Sequence, residues 1–476
     1  MATAPAQSSL IEGPVARTLF MFALPSLGVN ILQSINGSVN AIWIGRFLGE
    51  KALAAGSNAN MIMFLMFSSL FGFSMATTIL IGQAVGRRNV EAVRRTIGSA
   101  LGMFALAGIV TAALGWVFAP QLLHLLATPV DAFPFALIYL RVIFLGMPFS
   151  FISILLSSSL RGVGDAVTPL GNVVLNVALD IVLNPIFILG VGPIPAMGIA
   201  GSALATLIAG LISLIVLVYR IYARDLAIRL RGAELGWLRP TRAYAMPILG
   251  MGFPMGLSMI VMSGSSLVMI GLVNREGVDT TAAFGVMNQF WSYLQMPAVA
   301  VGGAVSAMAA QNIGAGKWDR ISRIAGAGIA INLAMTATLI VAITLAARPL
   351  LWLFFAEQSL AIPIAIHMNH IIGWSFILMG VSMVMVSVVR ANGAVLMPLV
   401  FLIVSAIGVR FGIGFTFHPR YGADAIWWAF TGGAISSIVM TVGYYLHGGW
   451  RSRAMKGEVD GETASKTPLE AQGGAV

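Results

Sequence analysis

"LRGVGDAVTP" (residues 160–169) returns 229 positions later as "VRANGAVLMP" (389–398), with Arg161 and Arg390, Gly164 and Gly393, and Pro169 and Pro398 in register. "GQAVGRRN" (82–89) returns as "AQNIGAGK" (310–317) at a separation of 228, and Pro25 and Pro254 differ by 229. Three matches at nearly one separation point to a chain built from two homologous halves. The flanking sequence says what each half is made of.

The chain has 476 residues, 58% of them hydrophobic and only 9% charged. A soluble domain carries about 25% charged residues, so this chain could not clothe a water-facing surface. Apolar runs of membrane-spanning length follow one another, near 17–44, 58–84, 93–118, 133–157, 169–190 and 199–222, then 244–273, 283–311, 321–346, 361–389, 395–417 and 424–447. The expectation is an all-α integral membrane protein of 12 transmembrane helices, in two six-helix lobes. Because six spans separate the copies, the halves share orientation and are related by a pseudo-two-fold axis along the membrane normal.

The net charge of +10 gathers in short clusters between spans: Arg87, Arg88, Arg94 and Arg95; Arg220 to Arg242; Lys317, Arg320 and Arg323; Arg451 and Arg453. That placement reads as positive-inside topology and contact with a lipid bilayer, not as a nucleic-acid surface. Both termini are then expected in the cytoplasm, on the inner side of a multi-pass membrane protein. Residues 1–16 form a cytoplasmic tail, 17–222 the first lobe, 223–243 a cytoplasmic linker, 244–447 the second lobe and 448–476 a disordered tail. The N-terminus has no signal-peptide pattern. With no cysteine there is no disulfide or thiolate site, and neither GxxxxGK[ST] nor HExxH occurs. The serines of "SGSSL" (263–267) have no His and Asp nearby to form a triad. An enzyme is not expected, and no cofactor is.

In the fifth span, "GNVVLNVALDIVLNP" (171–185) sets Asn172, Asn176, Asp180 and Asn184 four residues apart, one polar stripe on an oily helix. Asp180 is the one acid expected deep in a span; Glu50, Asp131, Asp279, Glu357 and Asp424 fall at span ends or in loops, and Asp165 in a turn. A carboxylate costs about 2.5–3.5 kcal/mol to insert, and a neutral amide would bridge helices more cheaply. Asp180 is therefore read as functional, able to load and release a proton. The first span offers a facing row of Asn30, Gln33, Asn36 and Asn40, and Thr206 in the sixth adds a hydroxyl. The second lobe has no such acid. Its Asn288, Gln289, Ser292 and Gln295, with Trp291 and Tyr293, could line a cavity or simply pack. The 26 methionines suit surfaces that repack around varied ligands. Arg141 and Arg410 fall in or near spans, where they snorkel or pair internally, and His124 and His418 near an edge.

These motifs, with "IGRFLG" (44–49) and "GIAGSALAT" (198–206), resemble the multidrug and toxic compound extrusion (MATE) family over roughly residues 15 to 450. The resemblance implies two lobes around a cleft that alternates its exposure, exporting organic, often cationic, amphipathic compounds in exchange for H+ or Na+. Pro25 matches a proline linked to bending of the first helix, and Thr206 ends the family's "AT" motif. Asn40 stands where many members carry aspartate. Asp180 and Asn184 look like an exchange of the family's Asn-then-Asp pair; alternatively Asn176 and Asp180 are the matching pair, one turn offset. The branch with acids in the seventh and tenth spans finds none here. The expected function is H+-coupled antiport through an ion-coupling group of Asp180, Asn176, Asn184, Asn40 and Thr206. Gln33, Asn36, Asn288, Gln289 and Gln295 are expected in the substrate cavity, and a monomer is expected. The alternatives are Na+ coupling, with Na+ at Asp180, or a flippase for a lipid-linked or polysaccharide precursor; a scaffold indifferent to ion gradients is the remaining rival.

Overall fold

The computed structural model describes residues 10–126, 128–192 and 195–452, excepting the side chains at 50, 51, 54, 58, 65 and 69. Among them no strand forms, and the membrane-length helices are α1 (Val15–Gly49), α2 (Ala55–Gly86), α3 (Val90–Leu125), α4 (Phe133–Val163), α5 (Val167–Leu189) and α6 (Gly198–Ala223). The second half supplies α7 (Arg242–Val273), α8 (Val278–Gly314), α9 (Asp319–Leu345), α10 (Ala361–Ile372 with Ser375–Ala391), α11 (Leu396–Tyr421) and α12 (Ala423–His447). At 1.5 Å per residue, even the 23 residues of α5 reach ~35 Å, enough to cross a bilayer.

Three boundaries differ from the sequence expectation, each for a local reason. The loop expected over 45–57 is helical, and α1 and α2 form one helix, Val15–Gly86, interrupted at Gly49 (φ 81°, ψ −177°), a conformation only glycine adopts freely. The tenth span, expected as one helix, is two segments bent by 41°. At the bend a Cβ on Gly373 would lie 2.6 Å from the Asn369 carbonyl, and Ser375 Oγ donates to the Ile372 carbonyl. Inside α11, Val404–Val409 is a π-helical turn.

The lobes are joined at the end that carries the arginine-rich loops, here called the base. The two repeated motifs make the joint, reciprocally. Gln83 of α2 donates through Nε2 to the Ala391 carbonyl at the end of α10 (2.6 Å), and Gln311 of α8 donates to the Gly162 carbonyl at the end of α4 (2.8 Å). Close approach requires glycine at both copies: a Cβ on Gly86 would lie 2.1 Å from the Gln311 carbonyl, and one on Gly314 2.1 Å from the Gln83 carbonyl. A buried apolar core shared by both lobes, including Leu19, Ile79, Met251, Val305, Met308 and Ile324, seals this end.

Both tails and the linker pack on the base more tightly than their composition suggests. Leu226, Ile228 and Leu230 are buried, Trp237 covers Gly98, and Arg94 pairs with Glu234 at 2.7 Å. The expected disordered tail from 448 begins instead with a packed turn. Trp450 is fully buried, donates to the Tyr445 carbonyl and accepts from Asn392 Nδ2 (2.7 Å), because its indole covers apolar surface that would otherwise be exposed. Near the N-terminus, the carbonyls of Leu10 and Ile11 accept from Asn312 and Lys317. The rest of the expected tails, 1–9 and 453–476, lies outside the described residues.

Toward the far end each lobe has its own core: Phe104, Phe144 and Phe151 in the first, Phe284, Trp291 and Trp427 in the second. A groove of about 520 Å³ runs between them, with Leu27 and Ile31 of α1 on one wall and Tyr293 and Met296 of α8 on the other.

Candidate functional site

The polar stripe of α5 meets α1 and α6 at Asp180, which is fully buried, as is Asn184 one turn later. Asp180 Oδ2 accepts from Asn40 Nδ2 at 2.8 Å, and Oδ1 accepts from Thr206 Oγ1 at 2.9 Å and Asn184 Nδ2 at 3.1 Å. Asn184 Nδ2 also donates to Asn40 Oδ1 (2.9 Å) and to the Asp180 carbonyl (3.0 Å). Asn36, one turn before Asn40, reaches the same carboxylate. A buried carboxylate survives only when neighbouring donors replace its water, and here donors from three helices do so.

The arrangement is a switchable one. An ionised Asp180 is acceptor-only, and every donor around it is aimed accordingly. A proton on Oδ2 would face the Asn40 amide hydrogens, so Asn40 must turn its oxygen inward. Asn184 would then lose its acceptor on Asn40 and must reorient in turn. The protonation state of one carboxyl is thereby tied to the contact between α1 and α5. The oxygens Asn36 Oδ1 and Asn184 Oδ1 are shut off from solvent with no hydrogen-bond partner among the described residues. They add hard acceptors beside the carboxylate, of the kind that suits a small cation.

Of the expected ion-coupling residues, Asn40, Asp180, Asn184 and Thr206 come together. Asn176 does not: no hydrogen bond joins it to Asp180, and its Nδ2 faces Gly210 of α6. Successive steps of four drift around the helix, and Asn176 points past the cluster. Asn36, expected in the substrate cavity, belongs to the carboxylate cluster. Gln33 is exposed on α1, as are Asn288 and Gln289 on α8, with Gln295 half-buried. Gln289 Nε2 donates to the Tyr293 hydroxyl (3.1 Å), and Tyr293 lines the groove between the lobes. Pro25 sits inside α1, which stays helical through it, and lines a cavity at the base beside Arg17 and Arg224.

Sequence reasoning missed two pairs at the far end of the second lobe. His418 of α11 meets Glu276 at 2.6 Å, and His367 of α10 meets Asp424 of α12 at 2.8 Å. These partners are 142 and 57 residues apart, with no local spacing to reveal them.

Comparison with known proteins gives the same architecture. The MatE family model matches the chain twice, over residues 25–186 and 254–416. The probable multidrug resistance protein YoeA of Bacillus subtilis is 34% identical over 433 residues, covering 90% of this chain and 93% of the relative. YpnP of the same organism, also named a probable multidrug resistance protein, is 30% identical over 448 residues, covering 93% and 97%. A solved outward-facing multidrug resistance MATE family transporter of the MOP superfamily superposes with TM-score 0.84 at 20% identity, covering 94% of this chain and 98% of that one, a likeness of fold. With the family model matched in each half of the chain and twelve spans in two lobes, the chain belongs to the MatE family and is a membrane transporter, not an enzyme.

Proposed function

We propose that this protein is a multidrug exporter of organic, often cationic and amphipathic compounds, working by H+-coupled antiport in the bacterial inner membrane with both termini cytoplasmic. The observation that carries the reading is the fully buried Asp180 held by donors from α1, α5 and α6. On this reading the base is cytoplasmic and the lobes stand open outward. A proton entering from outside neutralises Asp180, the Asn40–Asn184 amide chain reverses, and α1 repacks. Drug leaves outward as the proton is taken up, and the two ligands are linked through the two states. Relatives named as multidrug resistance proteins support the substrate class.

Na+ coupling is the second reading, supported by the two unpartnered amide oxygens, Asn36 Oδ1 and Asn184 Oδ1, beside the carboxylate. Uptake of a fluorescent organic cation into inverted vesicles separates the two. Under an imposed pH gradient, wild type accumulates the dye and Asp180→Asn does not, with both proteins present at equal levels. Accumulation driven only by a Na+ gradient would select the second reading. Full activity of Asp180→Asn under either gradient would sink the coupling role.

A further inference from the structure

The second lobe contains a charge where the repeat puts Asp180, but of opposite sign. Pro169 and Pro398 open α5 and α11 at a separation of 229. The π-helical turn Val404–Val409 then adds one residue to α11, as a single insertion into a helix does. Beyond it the separation is 230, in keeping with family matches that begin 229 apart and end 230 apart. At that separation Asp180 corresponds to Arg410, near the middle of α11.

The neighbours correspond as well. Asn36, which reaches Asp180, lies 229 before Ser265 of α7, and Ser265 Oγ is 3.4 Å from Arg410 Nη1. A left-handed glycine stands at the opening of each helix, Gly198 (φ 57°) as the first residue of α6 and Gly422 (φ 56°) just before α12, 224 residues apart. At that separation Thr206, which donates to Asp180, corresponds to Phe430, whose ring lies 4.6 Å from the Arg410 guanidinium carbon. An acid under a hydroxyl in one lobe is thus an arginine over an aromatic face in the other.

Arg410 is short of partners. A guanidinium offers five N–H donors. Among the described residues it has no carboxylate partner; the acids Glu276 and Asp424, at the far end of the lobe, are engaged by His418 and His367. Its Nε is closed off from solvent and makes no hydrogen bond. Gly433 packs closely against it: a Cβ there would lie 3.2 Å from the Ser405 carbonyl and 3.4 Å from Nε. Ser265 gives its own proton to the Ala406 carbonyl at 2.8 Å. A fixed cation at this depth, with free donors and no internal anion, calls for an anion from outside the chain.

We infer that Arg410, positioned by Ser265 and Phe430, forms an anion site in the second lobe, equivalent in the repeat to the Asp180 site, that takes a compact singly charged anionic group. Two sources share that chemistry: a free halide, and the carboxylate of a dissolved or transported molecule. The planar guanidinium fork accepts either. This inference stands on the repeat and on Arg410 alone, and it survives whichever ion Asp180 carries.

The test is thermal unfolding of the purified full-length protein in detergent, titrated with sodium bromide or sodium benzoate against the sodium salt of HEPES, a bulky sulfonate that is neither halide nor carboxylate. Constant Na+ and ionic strength cancel any cation effect at Asp180. Wild type is expected to show a saturable rise in melting temperature that Arg410→Gln lacks, and Ser265→Ala should need about five-fold more anion for half the effect. A rise with bromide identifies a free halide as a ligand, and a rise with benzoate alone identifies a carboxylate. No anion-specific rise in wild type, or the same rise in Arg410→Gln, overturns the site. Should Arg410→Gln fail to fold, an unchanged half-effect concentration in Ser265→Ala overturns it equally.

Discussion

Around Asp180, individual side chains differ in what their removal does. Thr206→Val deletes one donor to Oδ1 while leaving Asn40 and Asn184 in place. A lost hydrogen bond to a charged group is worth about 1.5–3 kcal/mol, so coupled transport is expected to fall roughly tenfold or more without vanishing. Asp180→Asn should abolish it. Asn176→Ala, at the position that faces Gly210 instead of the carboxylate, should leave the initial transport rate within about two-fold of wild type. Rates measured in vesicles at matched protein levels check the series; an Asn176→Ala defect as deep as that of Asp180→Asn would place it back in the site.

At the scale of helices, the base depends on two glycines and two glutamines that are copies of each other. Gln83→Ala leaves the Ala391 carbonyl without its donor, and Gln311→Ala does the same to Gly162. Each is expected to weaken the closed base by about 1–3 kcal/mol, and the pair to act with similar size because their surroundings repeat. Gly314→Val is harsher. Its Cβ would meet the Gln83 carbonyl at 2.1 Å, so α2 and α8 must part. The expected outcome is a folded protein whose base stays open and whose transport is lost, measured by alkylation of a reporter cysteine placed beneath the joint.

For the whole molecule, the question is whether the base must open at all. The chain has no native cysteine, so an introduced pair reports alone. A Cβ on Gly82 would lie 3.0 Å from the Ala310 Cβ, within adjustment of the spacing a disulfide needs. Gly82→Cys combined with Ala310→Cys should cross-link under oxidation, stop transport and recover it on reduction. Undiminished transport by the oxidised, fully cross-linked protein would show that the lobes work without parting at the base.

Sequence alone determined the membrane class, the twelve spans and the duplication, because these rest on composition, run length and a constant separation, all of which are local or linear. It also singled out Asp180, since a charge in an apolar run is expensive wherever the helix packs. Which amides surround that charge was not legible. Asn36 and Asn176 are alike in type and spacing, and only the packing of α1 and α6 against α5 brings one to the carboxylate and turns the other away. The break at Gly49 and the bend at Gly373 came from backbone detail that hydropathy averages over. Arg410 gained meaning last. Its equivalence to Asp180 depends on a one-residue π-helical insertion and on Ser265 and Phe430, brought beside it from helices 145 and 20 residues away in sequence. Tertiary structure decided the neighbours, because the free energy of a buried charge depends on what surrounds it, and helices far apart in the chain supply those surroundings.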